Sequence, residues 1–161
     1  MRVRFTPVLR PAILFLLALA AVVGVSTSAD AAKRRDLLRD EKRGGHTLAR
    51  HVGLSDAELR ERLRRDQRIS AASTYTDRAT AEEAVAAAIK AGRKRIDQWV
   101  SRDGSRANLV VEWAGSGRVL GRSLRRGDKE PVPCTRALVI LKWDTQSEIY
   151  YVLTSYPEAS R

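Results

Sequence analysis

Residues 44–53 read Gly-Gly-His-Thr-Leu-Ala-Arg-His-Val-Gly, and this stretch contains both histidines of the chain. Histidine is the side chain whose unperturbed pKa lies closest to neutral pH, so we expect acid–base chemistry at physiological pH to begin here. The spacing of Leu48 and Val52 predicts a short helix over 46–51, which Gly53 would end. We therefore interpret the rest of the chain as a scaffold for this stretch.

The first 31 residues have the three-part layout of a secretory signal peptide. Arginines at positions 2, 4 and 10 precede an apolar run over 12–25, and Ala29-Asp30-Ala31 offers small residues for cleavage. The apolar run is shorter than the ~20 residues that span a bilayer, which disfavours the alternative of a permanent anchor. The sequence thus predicts a secreted protein, cleaved near Ala31, that meets a membrane only transiently through its signal peptide.

The chain is strongly basic, with a formal net charge of +11. Residues 1–31 hold three arginines and one aspartate, so the part after them retains about +9. Such a surplus favours polyanionic partners, although a merely soluble, self-repelling surface is the alternative. The single cysteine, Cys134, cannot form an intramolecular disulfide and is expected to be an inert structural thiol. Neither it nor the histidines show metal-site spacing, so we predict no metal and no cofactor.

We divide the part after the signal peptide into a charged, flexible or partly helical leader (32–43) and one domain (44–161). Two capping boxes, Ser55–Glu58 and Thr80–Glu83, predict the starts of two longer helices. A basic loop is predicted over 122–128, and strands are predicted over 69–76, 108–113, 118–120, 137–143 and 149–154. Because helices come first and most strands last, we predict an α+β domain with an antiparallel sheet.

Four stretches occur in a fixed order along this domain. They are Gly44-Gly45-His46-x4-His51-Val52-Gly53-x-Ser55, Leu59-x2-Arg62-Leu63, the run Ala-Ala-Ser-Thr-Tyr-Thr over 71–76, and the run Tyr-Val-Leu-Thr-Ser-Tyr-Pro over 151–157. Together they resemble the bacterial RNase A-like domain, known as a C-terminal toxin module of CdiA-type contact-dependent inhibition proteins and other polymorphic toxins. The resemblance covers nearly the whole domain.

The resemblance implies an RNase A-like α+β fold without disulfides, in which N-terminal helices precede a twisted antiparallel sheet. It also implies RNA cleavage without a metal, by a histidine and an arginine from the helices and a threonine and a tyrosine from the last strand. The latter two fall on Thr154 and Tyr156, and the arginine on Arg62. The histidine falls on His46 or His51, and we favour His51 because Val-Gly follows it within the matching stretch.

The chemistry fits these residue types. Cleavage by the 2′-OH needs a base, an acid for the leaving oxygen and donors for the charge that grows on phosphorus. A neutral histidine suits the base, and a guanidinium suits the phosphate. Thr154 and Tyr156 are two apart on a strand and share a face. We also predict that the basic side chains bind substrate at Arg50, Arg122, Arg125 and Arg126.

Three interpretations of function follow. The first is a secreted, monomeric endoribonuclease that forms 2′,3′-cyclic phosphates. The second is a non-catalytic basic domain that binds nucleic acid or anionic envelope polymers, in which His51 is a core residue and Arg62 a solvated charge. The third is an antibacterial toxin that acts on tRNA and has a cognate immunity protein. The chain departs from the family in carrying its own export signal, and in having Tyr75 where phenylalanine is common.

Overall fold

The computed structural model describes residues 34–159, so the predicted signal peptide and the first residues of the leader lie outside it. None of the helices within this range is long and apolar enough to span a bilayer. The helices are α1 (Leu37–Glu41), α2 (Thr47–His51), α3 (Asp56–Arg65), α4 (Arg78–Ala91) and α5 (Arg93–Val100). The strands are β1 (Ala71–Tyr75), β2 (Leu109–Trp113), β3 (Gly121–Arg125), β4 (Val132–Cys134), β5 (Arg136–Asp144) and β6 (Ile149–Glu158).

The predicted α+β class is confirmed, but the strands form two antiparallel sheets rather than one. One sheet has the order β1-β3-β4 and the other β2-β5-β6. Helices α4 and α5 pack their apolar stripe against the second sheet and form the main core with it. A smaller cluster of Leu59, Leu63, Ala72 and Leu124 fastens α3 to the first sheet. Cys134 is buried and unoxidised, and burial raises the pKa of its thiol.

The helix predictions are right for α3 and partly wrong for α4. Ser55 and Glu58 form the predicted capping box at the start of α3. The second predicted box is wrong, because Asp77 caps α4 by accepting a hydrogen bond from the backbone N–H of Thr80. Helix α4 gives way to α5 at Gly92, where a Cβ atom would lie 2.5 Å from the Val111 side chain. The break at Gly92 lets both helices reach the sheet.

The strand predictions fail between residues 118 and 134. Residues 118–120 are not a strand, and most of the predicted basic loop over 122–128 is β3, which pairs with β1 along its whole length. A Cβ atom at Gly121 would lie 2.0 Å from the Thr74 carbonyl oxygen, so this close pairing requires glycine. The short edge strand β4 was not predicted as an element. The strand β3 is polar because one of its faces is not covered by the core.

The charged segment predicted as a flexible or partly helical leader forms α1 and packs on the rest of the fold. Leu37 is fully buried in the main core. Asp40 is also buried and accepts hydrogen bonds from Arg35 Nε and Nη2 at 2.8 and 2.6 Å. Its Oδ1 also accepts from the Val152 backbone N–H at 3.2 Å. These bonds join α1 to β6, the strand that carries Thr154 and Tyr156.

Replacing Asp40 with alanine is expected to lower the free energy of unfolding by about 3 kcal/mol, because it leaves the half-buried Arg35 guanidinium and the Val152 N–H without their partner. Urea denaturation measures this. Asp97→Ala is the matched control, since Asp97 forms an exposed pair with Arg93 and should change stability by about 0.5 kcal/mol or less. Equal losses in the two variants would contradict the role of Asp40 in the fold.

Candidate active site

One cleft of about 760 Å³ lies between helices α2 and α3, the floor strands β1 and β3, and the last residues of β6. All five residues that the sequence predicts as catalytic candidates line this cleft: His46, His51, Arg62, Thr154 and Tyr156. They come from positions more than 100 residues apart in the chain. The fold therefore brings the imidazoles, the guanidinium and the hydroxyl pair into one open cavity.

His51 is the last residue of α2 and is buried, with Nδ1 3.2 Å from the carbonyl oxygen of Ser73. Because a carbonyl oxygen only accepts, Nδ1 carries the proton in the neutral ring and Nε2 is the acceptor, which Arg62 Nη2 approaches to 3.5 Å. The end of α2 is fixed by Gly53, whose N–H donates to the Tyr75 carbonyl at 3.0 Å and whose φ is +68°. The Tyr156 ring lies beside the imidazole, with 5.3 Å between centroids.

Both histidines favour their neutral form. Burial and the nearby charge of Arg62 lower the pKa of His51 to about 3. Burial, Arg50 and Arg62 also lower the pKa of His46, which is less buried. In the free protein His51 is therefore an unprotonated imidazole at neutral pH, in the form that a general base requires.

Arg62 projects from α3 and lies alongside the His51 ring, with Nη1 and Nη2 each 3.5 Å from a ring nitrogen. Nη1 donates to the Arg50 carbonyl oxygen at 2.6 Å, which fixes the guanidinium in the cleft. Since Nδ1 of His51 already donates to Ser73, the contact of Nη1 with that nitrogen is stacking rather than a hydrogen bond. Burial, followed by Arg50, lowers the pKa of Arg62, yet guanidinium stays charged at any physiological pH.

Thr154 and Tyr156 lie opposite Ile140 and Leu138 on β5 and share one face of β6, as predicted. Thr154 is 7% exposed, and its Oγ1 has no hydrogen-bond partner within the described part of the chain. Tyr156 is half-buried, and burial, together with the carboxylate of Glu158, raises the pKa of its phenol. Thr154 and Tyr156 thus each present a protonated hydroxyl group to the cleft. The hydroxyl of Thr154 is buried and has no hydrogen-bond partner among the described residues.

Of the four arginines predicted to bind substrate, Arg125 lines the cleft and the other three do not. Arg122 pairs with Asp56 at 2.5 Å and donates to the Leu54 carbonyl at 2.8 Å, so it joins β3 to the start of α3. Arg126 donates to two backbone carbonyls of the 66–69 turn. Arg50 contributes its carbonyl to Arg62. The guanidinium groups of Arg122 and Arg126 are thus engaged within the fold, which charge alone does not show.

Six polar cleft residues were missed: Arg68, Ser70, Ser73, Ser123, Arg136 and Glu158. Ser73 and Ser123 lie opposite each other on β1 and β3, which could not be seen while β3 was taken for a loop. Arg136 begins β5 opposite Glu158, so correct strand ends would have indicated it. Within residues 34–159, no group of three or more His, Cys, Asp or Glu side chains is placed to hold a metal ion.

Comparison with known proteins assigns the class. The family described as the bacterial CdiA-CT RNAse A domain matches residues 45–157, most of the chain, so this protein belongs to that family of toxin ribonuclease domains. A solved structure titled as the CdiA-CT/CdiI complex from Y. kristensenii 33638 is similar, with a TM-score of 0.62 and 32% sequence identity. The match covers 71% of this chain and 99% of that one. No curated protein matches the chain.

The buried His51 predicts a specific dependence of stability on pH. Its pKa is about 3 in the folded protein and about 6.5 when unfolded, so only the unfolded chain takes up a proton in between. The contribution of neutral His51 to the free energy of unfolding is fully present above pH 6.5. It is lost as the pH falls, at up to ~1.4 kcal/mol per pH unit. Urea denaturation between pH 7.5 and 5 should show this slope in the wild type and a smaller one in His51→Gln.

A second measurement keeps this prediction testable if His51→Gln folds poorly. In the wild-type protein, the NMR signals of the His51 ring should not titrate between pH 7.5 and 5, because the proton is not taken up there. A midpoint near 6.5 for His51 would contradict the effect of burial and of Arg62.

Proposed function

We propose that this protein is a metal-independent endoribonuclease that cleaves RNA by attack of the 2′-OH on the adjacent phosphate. The observation that carries the proposal is that His51, Arg62, Thr154 and Tyr156 line one open cleft. Membership of the CdiA-CT RNAse A family supports the reaction class. The chemistry and the role of each residue below are proposals.

His51 Nε2 is the proposed general base that removes the 2′-OH proton. Its ring is held by the Ser73 carbonyl at Nδ1, so the lone pair is on Nε2, which faces Arg62 Nη2 at 3.5 Å until the guanidinium binds phosphate. A base with a pKa of about 3 would be weak in the free protein. A phosphate bound on Arg62 places a negative charge next to His51, and an opposite charge within about 4–6 Å favours the protonated imidazole. Substrate binding thus strengthens the base.

Arg62 and the hydroxyl pair are proposed to stabilise the phosphorane-like transition state. Arg62 offers two forked N–H donors to the non-bridging oxygens, and Arg125 at the rim offers a further contact to the RNA backbone. Thr154 Oγ1 donates to a phosphate oxygen. Tyr156 donates a hydrogen bond or the proton that the 5′ oxygen needs as it leaves. The first product is a 2′,3′-cyclic phosphate.

We further propose that the activity is that of an antibacterial toxin which is secreted, acts as a monomer and is neutralised by a cognate immunity protein. The similar solved structure is titled as a complex of CdiA-CT with CdiI, which supports a protein partner of this kind. Transfer RNA is the proposed target. The signal-peptide pattern of residues 1–31 supports export.

Purified protein is expected to degrade RNA in the presence of EDTA, and His51→Ala should lower the rate by ~10²–10⁴-fold because the general base is lost. His46→Ala should lower it less, since the favoured base remains. The measurement is the appearance of 2′,3′-cyclic phosphate ends on a denaturing gel. RNA binding without cleavage by the wild type would favour the alternative of a non-catalytic basic domain. Full activity in His51→Ala would overturn the role of that histidine.

Thr154→Val is expected to lower kcat by ~10–100-fold, because one donor to the transition state is lost. Stability should hold or rise slightly, since the Thr154 hydroxyl is buried without a partner and valine has nearly the same shape. Thr47→Val is the matched control: Thr47 is also buried with an unpartnered Oγ1, but it does not line the cleft. Equal activity in the two variants would contradict a catalytic role for Thr154.

A further inference from the structure

The proposed mechanism does not use the one carboxylate among the described residues that line the cleft, which is that of Glu158. The other charged groups that line this cavity are cationic or become so on protonation: His46, His51, Arg62, Arg68, Arg125 and Arg136. A carboxylate in a site that receives phosphates weakens their binding by like-charge repulsion. The Glu158 carboxylate therefore suits a part of the substrate other than its phosphates.

Glu158 is placed beside the reacting groups rather than at a remote edge. It follows Tyr156 by two residues on β6, so it shares the face of Tyr156 and Thr154, with a spacing of ~6.5 Å from Tyr156 along the strand. The influence of its charge on the Tyr156 phenol, second to burial in raising the pKa of that group, places it close to that ring.

The positive neighbours of Glu158 are engaged elsewhere. Arg136 lies directly opposite it on β5, but the Arg136 guanidinium pairs with Glu112 at 3.1 Å. Arg68 pairs with Asp66 at 3.0 Å. Within the described part of the chain Glu158 makes no ion pair and donates or accepts no side-chain hydrogen bond, so its two oxygens remain available as acceptors. Glu158 is half-buried, and a half-buried carboxylate without a hydrogen-bond partner costs folding free energy unless a ligand binds it.

Two hydroxyl groups complete the same region. Ser73 and Ser123 are cross-strand partners on β1 and β3, so both side chains project from the same face. They are 6% and 8% exposed and line the cleft, and neither hydroxyl has a hydrogen bond to another described residue. Each can donate or accept. The cleft therefore offers adaptable polar contacts as well as the acceptor-only Glu158.

We propose that Glu158, assisted by Ser73 and Ser123, is the subsite that reads a guanine base next to the cleaved phosphate. This inference rests on the proposed ribonuclease function and adds its base preference. A carboxylate accepts hydrogen bonds only, so in RNA it matches the N–H groups of a base edge or a ribose hydroxyl, and not phosphate; of these, only the base edge differs between nucleotides. Guanine presents N1–H and N2–H₂ side by side, which match two carboxylate oxygens. Adenine and cytosine present one donor beside an acceptor, and uracil one donor between two acceptors.

The test uses uridine oligonucleotides that carry one guanosine, adenosine or cytidine at the centre, with cut positions and rates read on a denaturing gel. The wild type should cut next to guanosine at least about tenfold faster than next to uridine, in line with one bidentate base contact. Glu158→Gln offers one acceptor and one donor, so it should lose the guanosine preference and gain rate next to adenosine or cytidine. Glu130→Gln, an equal change of charge at an exposed site far from the cleft, should keep the wild-type pattern.

A change of preference separates base reading from a merely structural role, since partial misfolding would slow all substrates alike. Equal cutting next to all four bases by the wild type, or an unchanged guanosine preference in Glu158→Gln, would overturn the assignment while leaving the ribonuclease proposal intact. If the wild type cuts none of them, the proposed function fails instead. Binding of 3′-GMP and 3′-UMP then decides the subsite: tighter 3′-GMP binding that Glu158→Gln abolishes supports it, and equal affinities overturn it.

Discussion

The arrangement of the site depends on the hydrogen bond between the Tyr75 phenol and the Ser155 hydroxyl, 2.7 Å long and fully buried. Tyr75 ends β1, and its backbone carbonyl accepts from Gly53 N–H just after the helix that carries His51. Ser155 lies between Thr154 and Tyr156 on β6. One residue thus contacts the segment of the proposed base through its backbone and the strand of the hydroxyl pair through its side chain. Without this bond the two sheets could shift relative to each other and open the cleft.

The second constraint is electrostatic. The His51 imidazole and the Arg62 guanidinium lie 3.5 Å apart in the cleft, and partial or full burial lowers the pKa of both. Neither has a carboxylate partner among the described residues that line the cleft near them, and the backbone carbonyls of Ser73 and Arg50 hold them instead. A carbonyl fixes a donor without cancelling its charge. The protein therefore keeps a positive field in the cleft that an anionic substrate can use, and it accepts some loss of stability in doing so.

Local sequence patterns predicted the elements that residues close together in the chain can specify. The Ser55 capping box is satisfied within three residues, and the apolar runs predicted as strands over 137–143 and 149–154 lie within β5 and β6, so these predictions were confirmed. Apart from the cap of α4, where Asp77 rather than Thr80 is the cap, the failures involve contact with distant residues. The charged segment around Asp40 folds because Val152 and Arg35 satisfy its carboxylate, and β3 is polar because it faces a cleft and the start of α3. The gathering of the candidate catalytic residues rested on family resemblance, since spacing alone selects only the histidine stretch.

The basic composition is a weak guide to the site for a related reason. Much of the positive charge stabilises the fold: Arg35 pairs with Asp40, Arg122 with Asp56 and Arg136 with Glu112. The number of arginines therefore does not separate the side chains that stabilise the fold from those that line the site. What sets Thr154 apart is that its buried hydroxyl has no hydrogen-bond partner among the described residues and lines the cleft, whereas Thr47, whose hydroxyl is also buried and unpartnered, does not line it. Because leaving such a group unpaired costs folding free energy, its retention beside a cationic cavity is better explained by a ligand than by the fold.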